Sequence, residues 1–249
     1  MITISILGAG KVAHHLILNI LEQDNLKLQQ VYSRHKNKVT DLVTDNQIIT
    51  DLNLLEPADI FIIAVSDDAI AEVSKSVVLN NAFIVHTSGT QPIDEIQNTN
   101  RKGVLYMLQT FSYDKEVNFN KVPFCLEASN TEDFKLLDTI AICFTEKVFK
   151  ISSEQRKVIH LSAVFVNNFT NHLCSLAEEI CKENSVPFDI LKPLIVETAD
   201  KLQVLSPKDA QTGPAIRGDV KTIERHLEML KDSNKKEIYQ IITNSIINK

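Results

Sequence analysis

The chain has 249 residues, 44% of them hydrophobic and 23% charged, with a formal net charge of −6. That is enough for one large or two modest domains whose core needs neither disulfides nor metal. The negative balance excludes nucleic acid as the main partner, because a phosphate backbone demands a basic surface, but it leaves room for a local basic pocket that binds a small anion.

In chain order, Ile2–Leu7 is β-branched and apolar and predicts a buried parallel strand. Lys11–Leu21 carries Val12, Leu16, Ile20 and Leu21 at helical spacing. Leu26–Tyr32 and residues 59–65 predict two more strands. Residues 67–78 predict a helix with acidic side chains in its first turn, where the macrodipole favours them. A strand over 82–86 ends at Thr87-Ser88-Gly89, and further strands are expected over 103–108, Phe124–Ala128 and 147–151. Between the last two lies a helix over 131–144, with Thr131 as its N-cap. Strands alternating with helices imply an α/β class with a mostly parallel, doubly wound sheet covered on both faces.

From Ser152 onward the periodicity is helical and no strand is expected. Ser152 or Ser153 caps a long helix reaching about Glu183, and Val186-Pro187 breaks it. A second helix covers 188–205, with Pro193 as a candidate kink. Residues 206–218 read as a loop, Asp219 caps a helix to Leu230, and 234–248 form the last helix. The chain therefore divides into an α/β domain, 1–151, and an all-helical domain, 152–249.

The chemistry begins at Gly8-Ala9-Gly10-Lys11-Val12-Ala13, between the first strand and the first helix. A Gly-x-Gly-x-x-Gly/Ala string gains weight only in that context. Gly8 permits the tight turn, Gly10 lets a pyrophosphate approach the backbone, and Ala13 is small enough for helix–strand packing. The free N–H groups of the helix N-terminus then face the phosphates. A P-loop is excluded, because no Ser or Thr follows Lys11. These are the marks of a Rossmann unit.

The end of the second strand selects among dinucleotides. A cofactor with a free ribose 2′-hydroxyl usually meets a carboxylate there. This chain reads Tyr32-Ser33-Arg34-His35-Lys36 instead. Arg34 can pair with a 2′-phosphate and Ser33 can donate to it, so NADP is expected over NAD, and S-adenosylmethionine is disfavoured. Val65-Ser66 and Thr87-Ser88, at the ends of later strands, should line the same cleft. His86 reads as a satisfied strand residue.

On the long helix, Leu161, Phe165, Phe169, Leu173 and Leu176 form an apolar stripe, with His160, Asn167, Asn171 and Ser175 nearly opposite and Asn168 at the border. A polar face without charge suits a shielded surface: a ligand cleft, a helix–helix interface or a polar core network. In the loop before Asp219, Arg217 lies between Gly213 and Gly218 and can grip a carboxylate or phosphate. Cys125, Cys143, Cys174 and Cys181 make no Cys-x-x-Cys pair and have no histidine at zinc spacing, so reduced thiols and no metal are expected. The start of the chain shows no basic segment before its apolar strand, and the uncharged stretch 158–177 carries too many Asn and His for a lipid-facing helix. A cytoplasmic protein with no membrane partner is expected.

Gly8-Ala9-Gly10-Lys11-Val12-Ala13, Ala64-Val65-Ser66-Asp67-Asp68-Ala69-Ile70 and His86-Thr87-Ser88-Gly89-Thr90 together resemble a family of bacterial Rossmann-like NADP oxidoreductases of uncharacterised substrate. Leu108-Gln109-Thr110-Phe111-Ser112, His160-Leu161-Ser162-Ala163-Val164 with Asn168-Phe169, and Thr212-Gly213-Pro214-Ala215-Ile216-Arg217-Gly218-Asp219 match its later motifs. That family is similar in architecture to pyrroline-5-carboxylate reductase, the deazaflavin-dependent NADP reductases and the β-hydroxyacid dehydrogenases. The resemblance implies NADP binding and a homodimer formed through the helical domain. It also exposes a departure: where β-hydroxyacid dehydrogenases carry a catalytic lysine before an asparagine, this chain has Val164.

Three functions follow as expectations. The first is an NADPH-dependent reductase of a small C=O or C=N substrate, held near Ser88. In it His160 is acid or base, Asn168 bonds the reacting oxygen and Arg217 grips an anionic group. The second is a non-catalytic dinucleotide-binding sensor or scaffold, which Val164 favours. The third is an interaction protein with a vacant Rossmann fold.

Overall fold

The β-branched apolar runs become the central strands of one eight-stranded sheet in this computed structural model, which describes residues 1–97 and 101–248. The strands are β1 (Ile2–Leu7), β2 (Leu26–Tyr32), β3 (Ile48–Ile49), β4 (Ile60–Ile63), β5 (Phe83–His86), β6 (Arg101–Met107), β7 (Phe124–Ala128) and β8 (Val148–Lys150). They lie in the order β3-β2-β1-β4-β5-β6-β7-β8, and every neighbouring pair is parallel except β6 with β7. The order runs outward from β1 in both directions. The carboxyl ends of β1 and β4 therefore flank the point where the connections change sides, the place where doubly wound sheets bind ligands.

The helices are α1 (Lys11–Leu21), α2 (Ile70–Lys75), α3 (Thr131–Ile142), α4 (Ser153–Ala163), α5 (Thr170–Glu183), α6 (Lys192–Val204), α7 (Pro214–Arg217), α8 (Val220–Met229) and α9 (Ser233–Ile247). One face of the sheet buries Ile4, Ile6, Ile60, Ile62 and Val85 with Leu16, Ile17 and Ile20 of α1 and Leu137 and Ile140 of α3. The other buries Leu7, Phe61, Ile63 and Ile84 with Ile70. Both faces are covered, as a parallel sheet requires.

Several local expectations are corrected. Asn130, not Thr131, caps α3: its side chain accepts the backbone N–H of Asp133 at 2.9 Å, and Thr131 is the first helical residue. The helix expected over 67–78 opens as a 3₁₀ turn, Asp67–Ala69, and α2 stops at Lys75. Pro193 makes no kink. A separate 3₁₀ turn, Phe188–Leu191, precedes α6, so the proline falls in the first turn of the helix, where its missing N–H costs nothing. The loop expected over 206–218 contains α7, ended by Gly218 in the left-handed region. The long helix is interrupted by a π-helical stretch, Val164–Phe169, between α4 and α5.

The chain forms two compact units, Met1–Val166 and Asn167–Lys249. The first holds the sheet, its covering helices and α4. The second is helical and leaves much apolar surface open: Leu194, Val196 and Met229 are exposed, and so are Phe169 and Leu173 of the predicted stripe. Leu161 and Phe165, from the same stripe in the first unit, are also exposed. Among the described residues no helix is long and apolar enough to cross a membrane, and no cluster of side chains could hold a metal ion. All four cysteines are free thiols.

Candidate functional site

In the first unit a cleft of about 540 Å³ opens at the carboxyl ends of β1, β2 and β4. Its floor is the predicted turn, Gly8 to Val12. Gly8 has φ +138°, and a Cβ there would fall 2.2 Å from the carbonyl oxygen of Ala64 in the next strand's end, so only glycine fits. Gly10 has ordinary dihedrals and a Cβ on it would meet no protein atom within 4 Å. Nothing among the described residues demands a glycine at position 10. Gly10 is also the N-cap of α1 and offers no side-chain cap, which leaves the first N–H groups of the helix for an anion.

Ser33 and Arg34 line the cleft at the end of β2, joined by His35 and Lys38. Lys38 was not anticipated. It follows the predicted basic string and is brought in by a 3₁₀ turn, Lys36–Lys38. The Ser33 hydroxyl is buried and donates to the carbonyl of His35 at 2.8 Å, so here its hydrogen serves the loop. Val65 and Ser66 line the opposite wall. Of the residues expected at the cofactor, Thr87 does not line the cleft, and neither does Ser88. It is buried, and its Oγ accepts the backbone N–H groups of Thr90 at 3.1 Å and Gln91 at 3.0 Å.

Ser88 belongs to a braced loop. His86, fully buried, accepts the Ser88 N–H at Nδ1 (3.2 Å) and reaches the Pro92 carbonyl with Nε2 (3.1 Å). Burial, with the nearby Arg156 cation, pushes the His86 imidazole down to about 4, so it is neutral, with Nε2 the donor. Both nitrogens are satisfied, which makes His86 a structural strand residue, as read from the sequence. Thr90 Oγ1 donates to Asp67 Oδ2 at 2.5 Å and thereby ties this loop to the one after β4.

His160 stands on α4 against the same loop. A Cβ on Gly89 would lie 2.6 Å from His160 Nδ1 and 2.9 Å from the Tyr106 ring. Tyr106 Oη and His160 Nδ1 are 3.3 Å apart. Gly89 follows β5 and Tyr106 lies near the end of β6, parallel to it, so all three residues gather at the carboxyl edge of the sheet. Tyr106 carries no motif and was missed in the sequence. Asn168 and Arg217 belong to the second unit, and both are exposed. Asn168 lies in the π-helical stretch, a geometry that recurs at functional sites. The exposure of Asn167, Asn168 and Asn171 removes the polar-core option for that helix face within a single chain.

The family described as "NADP oxidoreductase coenzyme F420-dependent" matches residues 3–88, and "Domain of unknown function (DUF2520)" matches residues 122–246. No curated protein matches the chain. Among solved structures, a "putative NADP oxidoreductase" from Bacteroides fragilis is 40% identical, with a TM-score of 0.90 over 100% of this chain and 98% of that one. Two more distant structures share the fold. A pyrroline carboxylate reductase from Plasmodium falciparum, with NADP bound, is 13% identical, with a TM-score of 0.63 over 99% of this chain and 98% of its own. An imine reductase from Pseudomonas sp. is 15% identical, with a TM-score of 0.63 over 99% of this chain and 91% of its own.

Proposed function

This chain belongs to the NADP oxidoreductases that carry a DUF2520 domain, and on that premise we propose that it is an NADPH-dependent reductase of a small C=O or C=N compound. NADP is the cofactor of the family. When bound, it supplies the hydride. The turn from Gly8 to Val12 would hold its pyrophosphate, and Arg34 and Lys38 the 2′-phosphate end.

The observation that carries the reading is the placement of His160. A titratable ring stands on Gly89, at the edge of β5, next to the strand whose loop walls the cofactor cleft. From there it serves a reacting oxygen or nitrogen as acid or base. NADPH oxidation against a panel of small ketones, 2-oxo acids and cyclic imines tests it. Turnover should fall at least about a hundredfold in His160→Ala. Undiminished turnover in His160→Ala overturns the assignment. Val164, where related dehydrogenases keep a lysine, supports the alternative of a non-catalytic NADP-binding sensor. Tight NADPH binding in calorimetry with no oxidation across the panel would establish that alternative.

We also propose that the helical unit pairs two copies of the chain. Its exposed apolar side chains surround an apolar groove of about 440 Å³ lined by Leu176, Ile180, Met229, Tyr239 and Ile242. Apolar surface of this extent marks an interface. Sedimentation equilibrium at micromolar concentration should give a dimer, and a monomer would overturn the pairing.

A further inference from the structure

We propose that Tyr106 is a positioning residue that holds His160 in its Nε2–H tautomer by donating the phenolic O–H to Nδ1, and that glycine at position 89 makes the room for this pair. The inference rests on the reading of His160 as the residue that meets the substrate, and it narrows that role. In the resting enzyme the ring offers substrate a hydrogen-bond donor and not a lone pair. The substrate atom it fits is then a lone-pair acceptor, a carbonyl oxygen or an unprotonated imine nitrogen. The hydrogen bond meets the charge that develops on that atom, so the tautomer sets aside the base role in this direction and keeps the Nε2 proton in place for the acid role.

The direction of the Tyr106–His160 bond follows from accounting. Tyr106 is 9% exposed, and among the described residues its hydroxyl has one hydrogen-bond partner, His160 Nδ1 at 3.3 Å. Were Nδ1 the donor, the phenolic hydrogen would be left without an acceptor in a nearly buried place, an arrangement native structures avoid. With the phenol donating, both the hydroxyl and Nδ1 are used, and the proton of the neutral ring stands on Nε2. The phenol keeps its hydrogen, because burial, and next to it Cys125, push Tyr106 up to about 12 against the opposing pull of Arg156. The rings meet edge to face, with centroids 6.2 Å apart. Gly89 is the third member: its absent Cβ is the space that Nδ1 and the phenol edge occupy. Position 89 has no left-handed dihedral to explain a glycine, so the packing of this pair does.

The test reads the tautomer directly. Full-length protein labelled with ¹⁵N-histidine is examined by NMR at pH 8, with the His160 signals identified by their loss in His160→Gln. The wild-type ring should show a protonated Nε2 and an unprotonated, hydrogen-bonded Nδ1. In Tyr106→Phe, Nδ1-protonated ring should appear while the other histidine signals stay in place. Gly89→Ala, which displaces the ring by another route, should produce the same change. A proton on Nδ1 in the wild type, or a tautomer indifferent to both substitutions, overturns the inference. On any substrate that is turned over, Tyr106→Phe should lower kcat about tenfold with KM little changed. If the tautomer responds but His160→Ala still turns over, the catalytic reading of His160 fails and the pairing stands. If His160→Ala is inactive but the tautomer does not respond, the pairing fails alone.

Discussion

The Cα hydrogen of Gly8 points at the carbonyl oxygen of Ala64, so closely that a methyl group there would sit 2.2 Å from the oxygen, whereas the equivalent methyl on Gly10 would stand in open space. The fold therefore demands a glycine at the first position of the turn and not at the second. Gly8→Ala adds a steric conflict to a positive φ and should cost about 2–4 kcal/mol of stability. Gly10→Ala should cost under about 1 kcal/mol, the loss of a glycine cap, yet weaken NADPH binding at least about tenfold, because its methyl enters the cofactor's space. Urea unfolding without cofactor, paired with NADPH calorimetry, separates the two. Equal stability losses in both variants would contradict the assignment.

Arg34 and Lys38 place two cations in the cleft at the end of β2, and the carboxylate that lines it, Glu72, comes from α2 and not from β2. A charge-assisted bond to a phosphate is worth about 1.5–3 kcal/mol. Arg34→Ala should thus weaken NADP by about 10- to 100-fold and leave NAD within a few-fold. Lys38→Ala should do the same to a lesser degree, since a lysine acts as a single point charge. Arg34→Asp should invert the preference. Competitive calorimetry with NADP and NAD measures all three, and parallel losses for both cofactors would remove the 2′-phosphate from this end.

What could be read in advance was what is local. β1, α1, β2 and β7 fall at their expected bounds because β-branched runs and helical spacing declare themselves within a few residues. The phosphate turn was legible for the same reason. β3, two residues long, has no period to read. The Tyr106–His160 pair joins residues 54 apart in sequence, and no spacing rule connects a strand tyrosine to a helix histidine. Ser88 was placed at the cleft by its position after a strand, but the loop takes its hydroxyl for Thr90 and Gln91. The helical wheel found a true apolar stripe through Phe169 and Leu173, yet a wheel assumes one unbroken period. It could not register the π-helical stretch, nor that the stripe stays exposed in the single chain.

His86 makes the fold sensitive to acid. Its imidazole is held near 4 in the folded chain against an ordinary 6.5. Above pH 6.5 it is neutral in both states and its contribution is complete. As pH falls from 6.5 towards 4, the unfolded chain takes up a proton that the folded chain refuses, and stability drops. At about 1.4 kcal/mol per pKa unit the loss is about 3 kcal/mol. Urea midpoints measured from pH 7 to pH 4 should fall for the wild type and slope less steeply for His86→Gln, whatever the variant's stability at pH 7. Parallel slopes would show that His86 is not the group responsible.

Arg156 is the cation buried beneath this loop, 1% exposed. Its guanidinium reaches Glu127 Oε2 and the carbonyl of Gln91, each at 2.5 Å, and Ser153 Oγ donates to the same Glu127 oxygen at 2.7 Å. The arginine thus joins α4, β7 and the segment after β5, the elements that set His160, Tyr106 and Gly89 in register. Removing one partner of such a pair strands a charge away from water, at a cost of about 3–5 kcal/mol. Glu127→Ala should lose stability on that scale. Arg156→Met, which withdraws the charge and keeps much of the volume, leaves only Glu127, an 18% exposed carboxylate that can turn to solvent, and should lose less. The double variant Glu127→Ala/Arg156→Met should be more stable than Glu127→Ala alone, because the second change removes the stranded cation. Chemical denaturation of the three variants closes the cycle. A double variant whose losses simply add would mean that Arg156 and Glu127 do not depend on each other.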